Sequence, residues 1–522
     1  MRRVLRCWQN VGMPKNFFSR GDVRAAACLL LAFACAAVSA LDGSLAKHSA
    51  AREETWMRVT LEGRKIGHLN SVREVQGNRV ISTSTTRFEI DRAGTPMAFE
   101  SIEQHTETTS GKPLAFDLRT RIGGSLSSTI GSIDAQGKLK VEQRTGATVV
   151  ARDLEWPAGA VLTEGARLLE IKAGLAPGTR IEVPTFFGDS LSAATTHLHV
   201  IGPERVTLVG RSATLVRMEQ GIEIGGARIE GTVWVDREHH PQRIRLPLLG
   251  VALEMLACDR DCALAPNQPS DVLTRTLVAA PPELERNMLD GPLRYRLRLG
   301  ESAGTTRLID TAEQRVRELP GTDRTWEVVV TPRESDANVP APTIADTRAT
   351  PWLQANDADV QRLARAAAGD ARTAAERMPR LEAAVREHIR SKNLSVGYAS
   401  AAETADSREG DCTEHALLLA AMARSLAIPA RVVSGLAFAP EYVGRKRVFV
   451  PHAWMQAWVD GSWRSFDAAL NGFDAGHIAF SVGDGDPLGF YHSVSLLGAT
   501  EIVAATPVPV PMEQAPSKDK AP

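Results

Sequence analysis

Between Glu54 and Ala263 the chain is written as short alternating runs broken by turn signals, and this pattern restricts the fold more than any other feature. WMRVTL, Glu62-Gly63 and RKIGHLNSV form one such unit. VISTSTTRFEI, the turn DRAGTP and FESIEQHTETT form the next, and SIDAQGKLKVEQ repeats the pattern around a polar turn at Ala135 to Gly137. Apolar residues recurring at every second position define strands with one packed face and one face that is wet or binds a partner. The expectation is an antiparallel β domain over residues 54–265, with a helix near Ala160 to Lys172 packed against it. No fixed-period repeat calls for a propeller or a solenoid.

The 522 residues exceed what one hydrophobic core organises and suit two to four domains. Residues 270–332, with PLRYRLRLG and TWEVVVTP, read as a small β-rich unit, either a spacer or a structural half of the C-terminal domain. A Pro-, Asp- and Ala-rich linker occupies 333–350, and the Pro-rich polar tail 507–522 reads as disordered. After the linker the period changes. Asp357 to Ala368 is helical, as is about Pro379 to Lys392, with Pro379 in its first turn and Leu381, Val385 and Ile389 on one face. Cys412 opens a helix that runs to about Ala427 and is stopped by Pro429. ARVVSGLAF reads as a strand, and PHAWMQAWVD, an Asp460-Gly461 turn and SWRSFDAAL follow. The architecture expected is multidomain: N-terminal antiparallel β structure followed by a C-terminal α+β domain over 351–500.

Arg2, Arg3, Arg6, Lys15, Arg20 and Arg24 precede the apolar run AAACLLLAFACAAVSA, which ends in small residues. Residues 1–40 therefore read as a secretory signal cleaved after Ala40, or as an N-terminal membrane anchor if uncleaved. Either way the body is expected in a periplasmic or extracellular space. With 61 basic against 62 acidic side chains, no global field draws the chain to nucleic acid. Cleavage removes Cys7, Cys28 and Cys35. Cys258 and Cys262 are four apart and suit a bridge in an oxidising compartment, which leaves Cys412 over.

The first turn of a helix stabilises a thiolate through its unpaired N–H groups and positive dipole end, and Cys412 stands there. Gly410 lets a carbonyl approach, and the Cys412 N–H is a candidate oxyanion donor. If Asp460-Gly461 is a two-residue hairpin turn, Val459 pairs with Ser462, and the same register sets Trp454 opposite Asp467. His452 then shares a face with Asp467 as its diagonal neighbour, at about 7–8 Å between backbones, within side-chain reach. A carboxylate on one imidazole nitrogen leaves the other to take a thiol proton. His415, one turn after Cys412, has nothing to orient its ring. His197 with His199, and His239 with His240, lack a third metal ligand. Arg445, Lys446 and Arg447 read as a solvated loop before the His452 strand, and Trp454, Trp458 and Trp463 as core or groove aromatics.

The blocks GDCTEHALLLAAMARSLAIPARVVSGL and HAWMQAWVDGSWRSFDAAL resemble the transglutaminase-like superfamily over about residues 350–480. The resemblance implies a Cys-His-Asp catalytic domain in which Cys412 is the nucleophile, His452 the general base and Asp467 the orienting carboxylate, with Tyr398 a candidate second oxyanion donor. It implies acyl transfer or amide hydrolysis through a thioester on a protein or peptide substrate, by a cysteine peptidase or amidase or by a protein-glutamine acyltransferase, without metal or cofactor. An envelope partner on the N-terminal β domain is a further expectation. The rivals are a non-catalytic scaffold of the same fold, and a thiol-disulfide oxidoreductase, for which Cys412 lacks a CxxC partner.

Overall fold

The computed structural model describes residues 51–509, except 93–94, 147, 225–226, 249–250, 272–273, 275, 304–305, 333–338, 392–397, 471, 487–492 and 494–495. The expected leader and residues 510–522 of the tail lie outside the described residues.

The N-terminal part is one antiparallel sheet of fourteen strands. The first eight are β1 (Ala51–Leu61), β2 (Arg64–Gln76), β3 (Arg79–Arg92), β4 (Thr95–Thr108), β5 (Pro113–Ile122), β6 (Ser125–Ile133), β7 (Lys138–Thr145) and β8 (Thr148–Glu155). After helix α1 (Thr163–Ala173) come β9 (Arg180–Phe187), β10 (Ser192–Thr207), β11 (Ser212–Ile224), β12 (Ala227–Val235), β13 (Pro241–Leu248) and β14 (Val251–Cys258). Two meanders, β8 to β1 and β14 to β9, join where β1 pairs with β14. The alternation seen in the sequence becomes a buried face: Val59, Leu61, Ile66, Leu69, Val200 and Ile244 are all at most 1% exposed. The sheet curves round α1, whose Ala166 joins the same core. No side chain of its own caps α1; instead Glu107 of β4 accepts from the N–H groups of Glu164 (2.5 Å) and Gly165 (2.9 Å). This is a cap supplied from across the sheet. A short helix α2 (Arg260–Leu264) follows, and a disulfide joins Cys258 to Cys262, with Cα atoms 6.0 Å apart.

The C-terminal part is layered. Strands β15 (Val278–Ala279), β19 (Ala430–Tyr442), β20 (Arg445–Val459), β21 (Ser462–Phe466) and β22 (His477–Gly483) form a five-stranded sheet in the order β15-β20-β19-β22, with β21 also on β20. Helices α3 (Ala358–Ala368), α4 (Ala374–His388), α5 (Ala401–Ser407) and α6 (Cys412–Ser425) pack together, and α6 lies on β19 and β20 through a core that includes Leu417, Ala421, Val432, Ala453 and Met455. Against the sheet lies a four-stranded sheet of β16 (Leu293–Leu299), β17 (Gln314–Glu318), β18 (Thr325–Val330) and β23 (Thr500–Pro507), in the order β17-β18-β16-β23.

Residues 270–332 do not stand as a unit of their own. Tyr295, Leu297 and Val328 share one core with Leu436, Phe449, Ile478 and Phe480, and the fourth strand of their sheet comes from Thr500–Pro507. The span assigned to the tail thus begins inside a strand. The described part of the linker is also held: Trp463 Nε1 donates to Pro340 O at 3.0 Å, and Arg424 Nη1 to Arg348 O at 2.8 Å. Helix α4 starts at Ala374, five residues before Pro379, because Thr373 and Glu376 form a reciprocal capping box, and it ends at His388, short of Lys392.

Candidate active site

Cys412 is the first residue of α6, half-buried, and the only described cysteine outside a disulfide. The helix start is fixed twice over. Asp411 accepts from Thr413 N at 2.9 Å, and Glu414 reaches back to Asp411 N at 2.8 Å and accepts from Ala399 N at 2.9 Å. Burial, then the neighbouring Asp411, holds the Glu414 carboxyl well above the usual range. Gly410 is required by close packing, since a Cβ there would lie 2.3 Å from Glu414 Cβ. His415 Nδ1 contacts Asp411 O at 2.6 Å in a buried setting, so its ring is tied to the helix cap.

The hairpin between β20 and β21 has the register that a two-residue turn dictates. Asp460 and Gly461 both have positive φ, and Val459 pairs with Ser462 and Met455 with Phe466. Asp467 follows one residue later, and His452 Nε2 lies 2.8 Å from its Oδ2. Both side chains are buried, His452 at 4% and Asp467 at 1% exposure. The structure therefore brings His452 and Asp467 into contact and puts Cys412 on the helix packed against the His452 strand.

Asp467 has every acceptor site in use. Oδ2 also meets His477 Nε2 at 3.0 Å, and Oδ1 accepts from Ala469 N (2.8 Å) and Leu470 N (3.1 Å). Glu382 of α4 accepts from the Asp467 N–H at 2.8 Å, and Arg386 donates to its carbonyl at 3.2 Å. Burial opposes ionisation of Asp467, but His452 and His477 outweigh it and hold the carboxyl far below the usual range. An ionised carboxylate only accepts, so a neutral His452 carries its proton on Nε2, which leaves Nδ1 unprotonated.

His477, at the start of β22, was not singled out in the sequence. Burial disfavours its charge, yet hydrogen bonds to Asp467 and to Asp474 (Oδ1, 3.1 Å) raise its pKa to about 9. It reaches the site because β22 lies beside β19, where Gly435 faces His452 on one side and Ala479 on the other. A Cβ on Gly435 would lie 2.0 Å from Ile478 O, so only glycine allows this approach.

Other candidates have structural work. The Tyr398 hydroxyl donates to Gly485 O at 2.8 Å and is buried beside Trp352, which removes it as an oxyanion donor. The basic run is not a loop: β20 begins at Arg445, and Arg447 donates to Pro281 O and Leu284 O. Trp454 and Trp463 are core side chains, 2% and 1% exposed. Among the described residues, two sets of side chains bring ligand atoms within 4.8 Å of one another, His452 with Asp467 and His477, and Asp236 with Glu238 and His240. In the first set the contacts are hydrogen bonds between the side chains themselves.

Comparison with known proteins matches residues 361–468 to the Transglutaminase-like superfamily. No curated protein matches the chain. Among solved structures, similarity is found to a proposed cysteine protease from Cytophaga hutchinsonii (17% identity, 42% of this chain and 84% of that one, TM-score 0.25). A β-barrel-like protein of a domain of unknown function from Brucella abortus matches at 14% identity over 40% of this chain and 95% of that one, TM-score 0.30. A proposed protease from Parabacteroides distasonis matches at 10% identity, 66% and 64%, TM-score 0.17.

Proposed function

With residues 361–468 forming a transglutaminase-like domain, we propose that the protein is a cysteine enzyme that hydrolyses or transfers acyl groups of a protein or peptide substrate outside the cytoplasm. The observation that carries this reading is the buried 2.8 Å contact between His452 and Asp467 on the hairpin next to the Cys412 helix. In the proposed cycle, His452 Nδ1 takes the Cys412 proton and the thiolate attacks an amide or ester carbonyl. The oxyanion that forms is stabilised by the N-terminal end of α6, with its N–H groups and dipole. Collapse breaks the bond to the leaving group, which receives the proton from the imidazolium, and a Cys412 thioester remains. Water then attacks the thioester while His452 removes its proton, releasing the acid and restoring the thiol. An amine acceptor in place of water gives cross-linking. Hydrolysis is the reading we prefer, since the relay accounts for it with water alone.

Profiling with a peptide-amide library tests this. The wild type should release acid and ammonia or amine from some members and Cys412→Ala from none, and equal release by both would end the proposal. Export is part of the same reading, supported by the Cys258–Cys262 disulfide, a bond that persists in oxidising compartments. Mass spectrometry of the exported protein should find a mature N-terminus near Leu41, and an intact Met1 or Arg2 would count against it.

A further inference from the structure

A cleft in the N-terminal domain, formed by elements remote in sequence from the thiol helix, has the make-up of a binding site. It lies between α1 and the concave face of β4, β5, β9, β10 and β11, and holds about 580 Å³ of atom-free space, part of it open to solvent. Val183, Phe186 and Phe187 give it an apolar wall, and Glu103, Glu170 and Gln220 line it with polar groups.

Those polar groups are not paired off by the protein. Glu170 is 9% exposed and Gln220 6%, and neither side chain has a hydrogen-bond partner among the described residues. Glu103 directs Oε1 to His105 Nε2 at 2.9 Å, while its Oε2 is buried without a partner. Buried polar atoms are rarely left so, because each costs about 1–3 kcal/mol. Glu103 Oε2, with the Glu170 and Gln220 side chains lining the same cleft beside aromatic side chains, matches the composition of small-molecule sites.

The charges select the ligand. Glu164 of α1 is taken up by Arg73 and Arg167, and Glu107 by the N–H groups that start α1. His105, its Nδ1 on Thr163, is disfavoured as a cation by burial, but Glu103, Glu107 and Asp189 outweigh that and raise its pKa. Glu170 adds a further carboxyl group to the cleft lining, with Arg167 of the same helix as the charge that acts on it. We propose that this cleft binds a primary ammonium carried on a short hydrocarbon chain, its three N–H donors directed to Glu103 Oε2, the Glu170 carboxylate and the Gln220 carbonyl oxygen, and its chain against Phe186 and Phe187. Burial pushes the Glu170 carboxyl up to about 8. A cation entering at neutral pH therefore displaces the Glu170 proton, and its affinity rises with pH until Glu170 is ionised without it.

The test is calorimetric titration of n-butylammonium chloride into full-length Cys412→Ala protein, in which no thioester chemistry contributes heat. Saturable one-site binding is expected, about tenfold tighter at pH 9 than at pH 7. Glu170→Gln should weaken binding at pH 9 at least tenfold and flatten the pH dependence. 1-Butanol should bind more weakly with no pH dependence, and butyrate should not bind. Absence of saturable binding, equal binding of 1-butanol or butyrate, or an unchanged affinity in folded Glu170→Gln overturns the proposal. If Glu170→Gln does not fold, the pH series on the parent protein decides, and a flat series rejects it.

Discussion

Asp467→Asn should destabilise the C-terminal part rather than merely slow it. In a triad read from sequence alone this substitution leaves the fold intact and mis-sets only the His452 tautomer. The structure gives a different answer, because both oxygens accept from two donors: Oδ2 from His452 and His477, Oδ1 from Ala469 N and Leu470 N. An amide has one NH₂ where the carboxylate had an oxygen, so either orientation sets donors against donors at a site 1% exposed. It also removes the anion that neutralises His477. Breaking a buried ion pair from one side costs about 3–5 kcal/mol. At about 2–4 °C per kcal/mol for a unit of roughly 150–250 residues, the melting temperature should fall by about 6–20 °C.

The pH dependence carries a sign. Asp467 is depressed on folding, so its contribution is present above the unfolded value of 3.8 and is lost as pH falls. His477 is raised to about 9, so its contribution is full below 6.5 and is lost as pH rises through 9. Asp467→Asn should flatten that alkaline loss. Thermal melts of wild type and variant between pH 5 and 9.5, followed by tryptophan fluorescence, measure both. A variant melting within about 2 °C of wild type with the same alkaline slope would refute the reasoning.

Three further outcomes are expected. The double variant Cys412→Ala, His452→Ala should be as inactive towards peptide amides as either single variant, since members of a relay are not additive; a further large loss in the double variant would separate their roles. His477→Ala should cost about 1–3 kcal/mol at pH 7, and its melts should lose the decline between pH 6.5 and 9; a retained decline assigns that titration to another group. Gly435→Ala should force β19 and β22 apart, lowering stability by about 1–3 kcal/mol and activity with it, as measured by melts and peptide-amide turnover; wild-type behaviour would mean that the close approach is dispensable.

The hairpin that joins His452 to Asp467 was legible because its register follows from one local feature, the Asp460-Gly461 turn, and a two-residue turn leaves the strands no freedom to slip. The fourteen-stranded sheet was legible as a class, since alternation reports a half-buried strand, but its strand order was not. The pairing of β1 with β14 joins residues some two hundred positions apart and leaves no local trace. His477 was missed for the same reason: it reaches Asp467 through β22 lying beside β19, a contact set by Gly435 rather than by a turn. The α1 cap lies on Glu107, more than fifty residues upstream, where no helix signal is sought. Local signals also exist for helix starts. Thr373 with Glu376 and Ser400 with Glu403 are capping boxes, and the first fixes the true start of α4 while the second announces α5. Pro379 suggests a helix start only when the box before it is left out of account.

In the proposed reading Cys412 is a thiol activated by His452 and Asp467. Its most direct test is the rate of iodoacetamide alkylation of Cys412 as a function of pH, followed by peptide mass in wild type and His452→Ala. A wild-type midpoint well below the unperturbed thiol value of about 8.5, moved upward in His452→Ala, is expected. A midpoint at or above 8.5 that His452→Ala leaves unchanged would contradict it.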